Sequence, residues 1–366
     1  MQESFDVAVV GGGPAGLATA AFATRAGLAT ILFERSSGPP DKACGEGLMP
    51  AGLRVLDALG VTPRIGARDS HPILGIRYIQ EDGSCAEGRL PGGGGCGIRR
   101  TALTAALAAC AGETGADLRW NCAVNGFARS ADSVTLATAA SEVRARVLVA
   151  ADGLHSRLRS LADLDRPNRA RQRFGVRQHF RVEPWSDWVE VHLHEGFEAF
   201  VTPVGNERVG VAFLWEKDAA PGPPTIEKFL ERSPALAERL AGAPVDSRPR
   251  GAGPFAHAVR ARIADRTVLV GDAAGYVDAI TGEGMSLSFL CAEALGAILP
   301  AALAHGATRA ALEPYERLAA REFRRYALTC RSLLVLTRHA RIRRRVVRFL
   351  GRRPRLFSRL IAAALA

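Results

Sequence analysis

The hydrophobic pattern of the first 35 residues predicts a strand, a glycine turn, a helix and a second strand. DVAVV is a short apolar run typical of a buried strand, and LATAAFATRAG has helical length with small residues on its packing face. ATILFER then forms a second apolar run, and GGGPAG separates the first strand from the helix. The chain therefore opens with the element order of a βαβ unit.

Alternating apolar and polar residues in the middle of the chain predict a mixed β-sheet. RFGVRQHFRV, DWVEVHLHE, FEAFVTPV and ERVGVAFLW are typical of four strands separated by turn residues. The segment 73–90, ILGIRYIQEDGSCAEGRL, predicts a hairpin that joins the same sheet. Strand alternation puts His192 and His194 on one face with Glu190, so we expect these histidines, like His179, to be solvent-facing or hydrogen-bonded rather than acid–base groups.

The pattern becomes helical after Glu322. Apolar residues at i, i+4, i+7 and i+8 with arginines between them predict an amphipathic helix whose stripe is Ile342, Val346, Phe349 and Leu350. Gly351 and Pro354 mark a break before RLFSRLIAAALA, which begins a second amphipathic segment.

The net charge of +11 belongs almost entirely to this C-terminal region. Residues 323–366 contain thirteen arginines and no Asp or Glu, whereas the first 322 residues carry thirty-five basic groups against thirty-seven acids, a net of −2. Three roles remain open for the basic tail: a lid over a substrate cavity, docking on an anionic membrane surface, and capture of an acidic carrier protein. The nearly neutral body argues against nucleic acid as a partner.

Composition places the chain among globular proteins, with 48% apolar and 23% charged residues. No uninterrupted apolar stretch reaches the roughly 20 residues of a bilayer crossing, and the acidic, strand-like start QESFDVAVV does not resemble a secretory signal. Seven cysteines without a CxxC pair favour reduced thiols over a disulfide framework or a metal site. We expect a cytoplasmic protein, with peripheral attachment to a membrane left open.

The glycine turn supplies the chemistry of a dinucleotide site. Gly11 permits the sharp turn, Gly13 lets the backbone approach a pyrophosphate, and Gly16 lets the helix pack closely on the strand. The helix N-terminus then receives the phosphates. Glu34 ends the second strand 23 residues after Gly11, where its carboxylate can accept hydrogen bonds from a ribose, and an acid there argues against a 2′-phosphate.

Two later strings indicate a longer ligand than NAD. VLVAADGLHSRLR is a buried strand that ends at Asp152 and Gly153, and RTVLVGDAAGYVDAITGEGMSLSF is another that ends at Gly271 and Asp272. Three glycine-bearing strand ends suit an extended ligand that lies across the carboxyl edge of one sheet.

These three strings, in this order, resemble the flavoprotein hydroxylase superfamily whose best-known member is p-hydroxybenzoate hydroxylase. The resemblance covers about residues 5 to 290. It implies FAD as the cofactor, reduced by NADH or NADPH, and an α/β fold: a Rossmann-like FAD-binding domain of the GR2 type with an inserted mixed β-sheet substrate domain and C-terminal helices. The implied ranges are 1–70, 98–165 and 252–300 for the FAD-binding domain, 71–97 and 166–251 for the substrate domain, and 301–366 for the basic helical region.

The resemblance also assigns the cofactor residues. Asp272 is expected at the ribityl chain, the DG string at the pyrophosphate, and the turn Gly282-Glu283-Gly284-Met285 at the flavin ring. Arg100 matches the family arginine that reaches the flavin nucleotide, with Arg99 as the alternative. The expected contacts are Gly11, Gly13, Pro14, Ala15, Gly16, Glu34, Arg35, Cys44, Gly45, Arg100, Asp152, Gly153, Gly271, Asp272, Gly282, Gly284 and Met285.

Two segments place the chain near the geranylgeranyl reductase branch of that superfamily. KACGEGLMPAGLRVLDALG and GDAAGYVDAITGEG resemble that branch, in which a Cys-Gly pair such as Cys44-Gly45 lies beside the flavin. The aromatic YxWxFP string of those reductases is replaced by FEAFVTP, which puts Glu198, Phe200 and Thr202 at its aromatic positions. The WxWxIP string usual in flavin halogenases is not matched.

The expected function is that of an FAD-dependent oxidoreductase acting on a hydrophobic small molecule. A monooxygenase that uses NADH or NADPH is the first expectation, because the superfamily favours it and the reductase string is altered. The alternative is a reductase of carbon–carbon double bonds in an isoprenoid or polyketide, and a non-catalytic flavoprotein recruited to membranes is a third possibility. The catalytic residues remain unknown, with Cys44 and Gly284 as candidates, and Phe200 and Thr202 are candidate substrate contacts.

Overall fold

The elements follow the hydrophobic pattern of the chain over residues 4–167, 170–219 and 225–365, which are the residues described by the computed structural model. Parts of the predicted ranges, namely 1–3, 168–169, 220–224 and 366, lie outside the described residues.

The described strands, numbered along the chain, are β1 Ser4–Val10, β2 Thr30–Phe33, β3 Gly47–Leu48, β4 Ser70–Ile73, β5 Gly75–Gln80, β6 Cys85–Arg89, β7 Gly95–Ile98, β8 Asp117–Arg119, β9 Val124–Arg129, β10 Val134–Thr138, β11 Glu142–Ala150, β12 Asp165–Arg166, β13 Arg173–Phe180, β14 Trp188–Leu193, β15 Phe197–Pro203, β16 Val209–Glu216, β17 Arg250–Ala252, β18 Ala258–Val259, β19 Ile263–Ala264 and β20 Thr267–Leu269. The described α-helices are α1 Pro14–Arg25, α2 Pro50–Ala58, α3 Arg100–Glu113, α4 Arg157–Leu161, α5 Ile226–Glu231, α6 Pro234–Arg239, α7 Gly284–Ala304, α8 Arg309–Arg338, α9 Ala340–Gly351 and α10 Pro354–Leu365.

An eight-stranded sheet carries the predicted βαβ unit. Its main path is β19-β20-β11-β1-β2-β8, and β9 and β10 extend from β11. Strand β1 runs parallel to β2 and β11, and β11 runs parallel to β20. The carboxyl ends of these four strands therefore meet at one edge of the sheet, as the three sequence strings predict.

The two faces of this sheet are both covered, which is why β1 is apolar at every position of its second half. Val7 and Val9 pack in a cluster with residues of α1, α3 and α7, whereas Ala8 and Val10 pack in a second cluster on the opposite face. Alternate side chains of a strand point to opposite faces, so one run of valines serves both clusters.

A seven-stranded sheet contains the other predicted strands. Its order is β17-β13-β16-β15-β14-β5-β6, with the hairpin β5–β6 joined in parallel to β14. The predicted four strands and hairpin are confirmed. The α/β architecture is confirmed as well, while the division into domains stays a prediction. The small sheet β3-β7-β4 connects the two larger ones.

Helix α7 is, among the described residues, the one helix long and apolar enough to cross a bilayer by length and composition, with a mean hydropathy of 1.8. Half of its most apolar window is buried, and it packs in the cluster that also contains α1 and α3. Gly296 lets α7 approach α1 so closely that a Cβ would lie 2.5 Å from Phe22 Cβ. These contacts are those of a core helix. In the sequence this helix is not an uninterrupted apolar stretch, because Ser286, Ser288 and Glu293 interrupt the run.

The C-terminal helices correct one prediction from the sequence. Helix α9 turns Val347 and Arg343 inward, whereas Ile342 and Phe349, two members of the predicted apolar stripe, are 54% and 48% exposed. Arg343 is 2% exposed because it donates hydrogen bonds to the carbonyl oxygens of His194 and Thr337, each at 3.1 Å. An arginine whose donors find such acceptors can be buried, and periodicity of apolar residues does not reveal it.

We predict that Gly351→Ala loosens the contact of α9 with β6. A Cβ at Gly351 would lie 2.2 Å from the carbonyl oxygen of Cys85, so the helix must move away from the strand. The expected loss is about 1–3 kcal/mol in the free energy of unfolding, measured by urea denaturation, with faster proteolysis of the C-terminal helices. Gly66→Ala is the control, because a Cβ there meets nothing within 4 Å. An equal loss in both variants would contradict the prediction.

Candidate active site

A cavity of about 1190 Å³ begins at the carboxyl edge of the eight-stranded sheet. It continues along the inner face of the seven-stranded sheet and reaches helices α8, α9 and α10. Small-ligand sites typically occupy roughly 300–1,000 Å³, so this cavity has room for a cofactor and a second ligand together.

Most of the residues expected at the cofactor lie on the wall of this cavity. Those on the wall are Gly11, Gly13, Pro14, Ala15, Glu34, Arg35, Cys44, Gly45, Arg100, Asp152, Gly153, Asp272, Gly282, Gly284 and Met285. Gly16 and Gly271 lie behind the wall, where they pack against the glycine turn and the start of α1. The residues expected from the sequence therefore meet at one cavity, although they are far apart in the chain.

The glycine turn holds the strand end and the start of α1 in close contact. Gly11 has φ +118, and a Cβ on it would lie 2.3 Å from the carbonyl oxygen of Ala151. A Cβ on Gly16 would lie 1.9 Å from the carbonyl oxygen of Gly11. Gly13 is the N-cap residue directly before α1, and no side chain of the described residues caps the helix there, so its N-terminus keeps free N–H groups beside the cavity.

Two cations and one carboxylate lie beside the glycine turn. Arg100 Nη2 lies 3.9 Å from the position of a Cβ on Gly13, and Arg100 Nε is buried without a hydrogen-bond partner among the described residues. Burial, and then the charge of Arg100, lower the pKa of Lys42. Burial raises the pKa of Asp272, although Arg100 and Lys42 oppose the rise. Arg99 pairs instead with Glu46 at 2.8 Å, so the geometry favours Arg100 as the arginine that faces the turn.

Glu34 and Asp152 have backbone partners in addition to their place on the cavity wall. Glu34 Oε2 accepts from the N–H of Gly12 at 2.7 Å, and its Oε1 accepts from the N–H of Ser36 at 2.9 Å. Asp152 accepts from Ser156 Oγ at 2.5 Å and from the N–H of Leu158 at 3.2 Å, which fixes the start of α4. Each carboxylate oxygen can accept a further hydrogen bond from a ligand.

The structure brings the Cys-Gly pair against the turn before α7. Cys44 Sγ lies 3.8 Å from Met285 Sδ and accepts a hydrogen bond from the N–H of Glu46 at 3.3 Å. Gly45 is exposed to the cavity, and a Cβ there would contact nothing within 4 Å. The two segments that resemble the geranylgeranyl reductase branch therefore form one wall.

A buried ionic cluster behind Cys44 was not predicted from the sequence. Glu46 is 1% exposed, with φ +60, and its carboxylate contacts His179 Nε2 at 2.5 Å and Arg99 Nη1 at 2.8 Å. Burial alone would raise the pKa of Glu46, but the hydrogen bond to His179 and the nearby arginines lower it. Burial lowers the pKa of His179. His179 is therefore hydrogen-bonded and fully enclosed rather than solvent-facing.

The other two histidines also have hydrogen-bond partners. His192 Nε2 lies 3.3 Å from Glu190, and His194 Nε2 lies 3.0 Å from Ser233 Oγ. Burial lowers the pKa of His194 to about 4. All three are buried or largely buried, so hydrogen bonding rather than solvent exposure accounts for them.

Glu283 is a second site residue that the sequence analysis did not single out for chemistry. It lies on the cavity wall between Gly282 and Gly284, and its Oε2 is buried without a hydrogen-bond partner among the described residues. Burial raises the pKa of Glu283 to about 7, although a hydrogen bond with Thr281 opposes this. A carboxyl group that keeps its proton near neutral pH can donate that proton.

The segment FEAFVTP, which stands in place of the aromatic string, contributes residues both to the cavity wall and to a buried ion cluster. Phe200 and Thr202 of β15 lie on the cavity wall, and their contact with a substrate stays a prediction. Glu198, on the same strand, binds Arg173 Nη2 at 2.6 Å, and Arg173 Nε also binds Asp278 at 2.9 Å. Glu198 therefore serves the packing between β15, β13 and the turn before α7.

The far half of the cavity is apolar. Its wall combines side chains of the seven-stranded sheet with side chains of the C-terminal helices: Ile76, Val189, Val191, Leu193, Leu333, Leu336, Val346, Val347, Leu350, Phe357, Leu360, Ile361 and Leu365. Such a wall favours an apolar ligand and excludes water from it.

The chain belongs to the FAD binding domain family, which matches residues 4–327. Digeranylgeranylglycerophospholipid reductase 1 of Methanopyrus kandleri is 29% identical over 341 residues, covering 87% of each chain. Menaquinone reductase of Mycobacterium tuberculosis is 29% identical over 311 residues, covering 78% of this chain and 74% of that protein.

Solved structures share the fold at low sequence identity. A geranylgeranyl bacteriochlorophyll reductase-like protein from Thermoplasma acidophilum has a TM-score of 0.80 at 22% identity, covering 92% of this chain and 88% of the other. A flavin-dependent brominase has a TM-score of 0.83 at 16% identity, covering 98% and 94%. With family membership, these comparisons make the protein an FAD-dependent oxidoreductase.

We predict that Gly16→Ala abolishes FAD binding. A Cβ at this position would overlap the carbonyl oxygen of Gly11 at 1.9 Å, so the helix N-terminus must leave the strand end. The purified variant should be colourless and should stay so when FAD is added, as followed by visible absorbance. Gly38→Ala is the control, since a Cβ there meets nothing within 4 Å. A yellow Gly16→Ala protein with normal affinity would refute this role of the glycine turn.

Proposed function

We propose that the protein reduces a carbon–carbon double bond of an isoprenoid lipid with electrons that NADH or NADPH passes to FAD. The observation that carries this proposal is the similarity to the Methanopyrus kandleri reductase, which extends over 87% of both chains. The apolar half of the cavity supports it, because an isoprenoid chain is apolar and elongated.

This proposal replaces the first expectation from the sequence, a monooxygenase. The relatives named above are both reductases, and the altered FEAFVTP string keeps Phe200 and Thr202 on the cavity wall. An altered aromatic string is therefore compatible with a chamber for an apolar substrate. The reductase alternative is the better supported of the two.

The residues on the cavity wall fit FAD as the cofactor. We assign the pyrophosphate to the N-terminus of α1, with Arg100 as its cation, because Gly13, Pro14 and Arg100 line the cavity there and Arg100 Nε has no hydrogen-bond partner among the described residues. Asp272 and Lys42 are assigned to the ribityl chain, and the wall of Cys44, Gly282, Gly284 and Met285 to the flavin ring.

Reduction of a double bond adds a hydride to one carbon and a proton to the other, and reduced FAD supplies the hydride when bound. The chain itself must supply the proton. We assign the proton to the carboxyl group of Glu283, a residue of the cavity wall between the two glycines assigned to the flavin ring, whose Oε2 is buried without a hydrogen-bond partner among the described residues. Burial of Tyr78, on the same cavity wall, raises its pKa to about 12, which makes Tyr78 the weaker acid of the two.

Anaerobic turnover tests the proposed reaction. Holoprotein reduced with NADPH is mixed without oxygen with digeranylgeranylglycerophospholipid or menaquinone. We expect the oxidised flavin absorbance to return and the product to gain two hydrogens in its isoprenoid chain, as located by fragment mass spectrometry. Reoxidation only after oxygen is admitted, with an oxygen atom added to the product, would contradict the reductase proposal and support the monooxygenase.

The pH dependence of turnover tests the proton donor. Because the pKa of Glu283 is raised to about 7, the group is protonated below that pH, and the rate should fall as the pH rises through 7. Glu283→Gln cannot donate a proton and should lower kcat by about 10²- to 10⁴-fold and remove this pH dependence. Glu293→Gln, in the helix α7 that Glu283 precedes but paired with Arg54 at the surface, is the control. Near-normal kcat with an unchanged pH profile in Glu283→Gln would exclude Glu283 as the donor.

A further inference from the structure

The exposed apolar side chains of this protein are concentrated on its last three helices. Eight large apolar residues of the described chain are exposed, and only Leu161 and Val245 lie elsewhere. The six on α8, α9 and α10 are Leu328, Val335, Ile342, Phe349, Leu356 and Leu360, with exposed fractions from 37% to 68%. A concentration of this kind on a basic surface requires an explanation, whereas scattered exposed apolar residues do not.

Helical spacing arranges these residues in stripes that border the cavity. Ile342 and Phe349 are seven residues apart on α9, and Val346 between them lies on the cavity wall. On α10, Leu360 follows Leu356 by four residues, is 51% exposed and also lines the cavity. The apolar surface is therefore continuous from the outside of the helices into the apolar half of the cavity. We call the surface formed by the six exposed apolar residues of α8, α9 and α10 the apolar rim.

Arginines flank the apolar rim. Arg345 is exposed on α9 and Arg352 directly after it, and Arg355 and Arg359 are exposed on α10. The guanidinium of Arg353 lies 4.2 Å from the ring centre of Phe349. A helix with an apolar stripe beside exposed arginines is the pattern that lies in the interface of an anionic membrane.

The helices are attached firmly enough to act as a unit. Arg348 donates to Asp82 at 2.7 Å, and Arg343 is buried against the strand ends behind α9. The N–H of Arg89 donates to Ser358 Oγ at 2.9 Å and so ties α10 to β6. Helices α9 and α10 thus belong to the cavity wall and present a fixed outer face.

We propose that the apolar rim and its arginines dock on an anionic lipid bilayer, which places the cavity mouth against the membrane so that a lipid substrate enters without crossing water. This inference rests on the proposed function for the identity of the substrate, but not for the docking itself. Arginine attracts the anionic headgroups, and the rim residues enter the boundary between headgroups and acyl chains. The sequence leaves a lid over the cavity and docking on a membrane open as roles of these helices. In this proposal their inner side covers the cavity and their outer side docks on the membrane.

Vesicle co-sedimentation tests the docking. Full-length holoprotein is mixed with vesicles of phosphatidylcholine alone or of equal parts phosphatidylcholine and phosphatidylglycerol. We expect binding to the anionic vesicles to be at least about tenfold tighter than to the neutral ones. Two variants should each lower that binding at least about tenfold: the rim variant Ile342→Ser, Phe349→Ser, Leu356→Ser, and the charge variant Arg345→Gln, Arg352→Gln, Arg355→Gln, Arg359→Gln.

Matched controls separate docking from a general change of surface. Leu161→Ser with Val245→Ser removes the two exposed apolar residues outside the rim, and Arg129→Gln removes an exposed arginine on β9. Both controls should bind like the unmodified protein. The absorbance of bound FAD and the unfolding temperature show that every variant is folded.

Several results would overturn the proposal. These are no binding to either vesicle, equal binding to both, full binding by either the rim variant or the charge variant, and an equal loss in the controls. Binding to polyglutamate but not to vesicles would identify an acidic protein as the partner instead. Sedimentation does not depend on turnover, so its failure leaves the reductase proposal standing, and a failed anaerobic turnover leaves the sedimentation result standing.

Discussion

The contact between the glycine turn and the strand ends is the constraint on which the rest of the structure depends. Gly16 and Gly11 touch so closely that neither tolerates a side chain, and Gly11 also lies against the backbone of Ala151 at the end of β11. This contact aligns the start of α1 with the carboxyl edge of the parallel strands. The same edge then receives Glu34, Asp152 and Asp272, which come from strands parallel to β1 or β11.

Burial determines the electrostatics of the cavity in two different ways. In the cluster of Glu46, His179 and Arg99, opposite charges and hydrogen bonds compensate the burial, so the cluster is a rigid support behind Cys44. At Glu283 the burial is only partly compensated, by a hydrogen bond with Thr281, because Oε2 has no partner among the described residues, and the pKa of that carboxyl rises to about 7. Glu46 thus supports the structure behind Cys44, whereas Glu283 is the proton donor in the proposed function.

The C-terminal helices link the cavity to the outside of the protein. Their inner side chains, such as Val347 and Phe357, pack with Val191 of the seven-stranded sheet. Their outer side chains combine arginines with the exposed Ile342 and Phe349. Amphipathic helices normally turn the apolar side to the protein, and here the apolar surface extends around to the outside as well.

The sequence by itself determined the α/β fold and much of the cavity wall at the strand ends, because a glycine with a required backbone conformation and a carboxylate after a buried strand leave local signals. Gly11, Asp152 and Asp272 were recognisable for that reason. Only the tertiary structure decided the roles of Glu46, His179, Glu283 and Arg343. Each is a charged or polar residue whose role depends on partners distant in the chain, or on the lack of one, and no local pattern of apolar positions records such a partner. The outward face of Ile342 and Phe349 was decided in the same way, since Arg343 of the same helix is buried with hydrogen bonds to the carbonyl oxygens of His194 and Thr337.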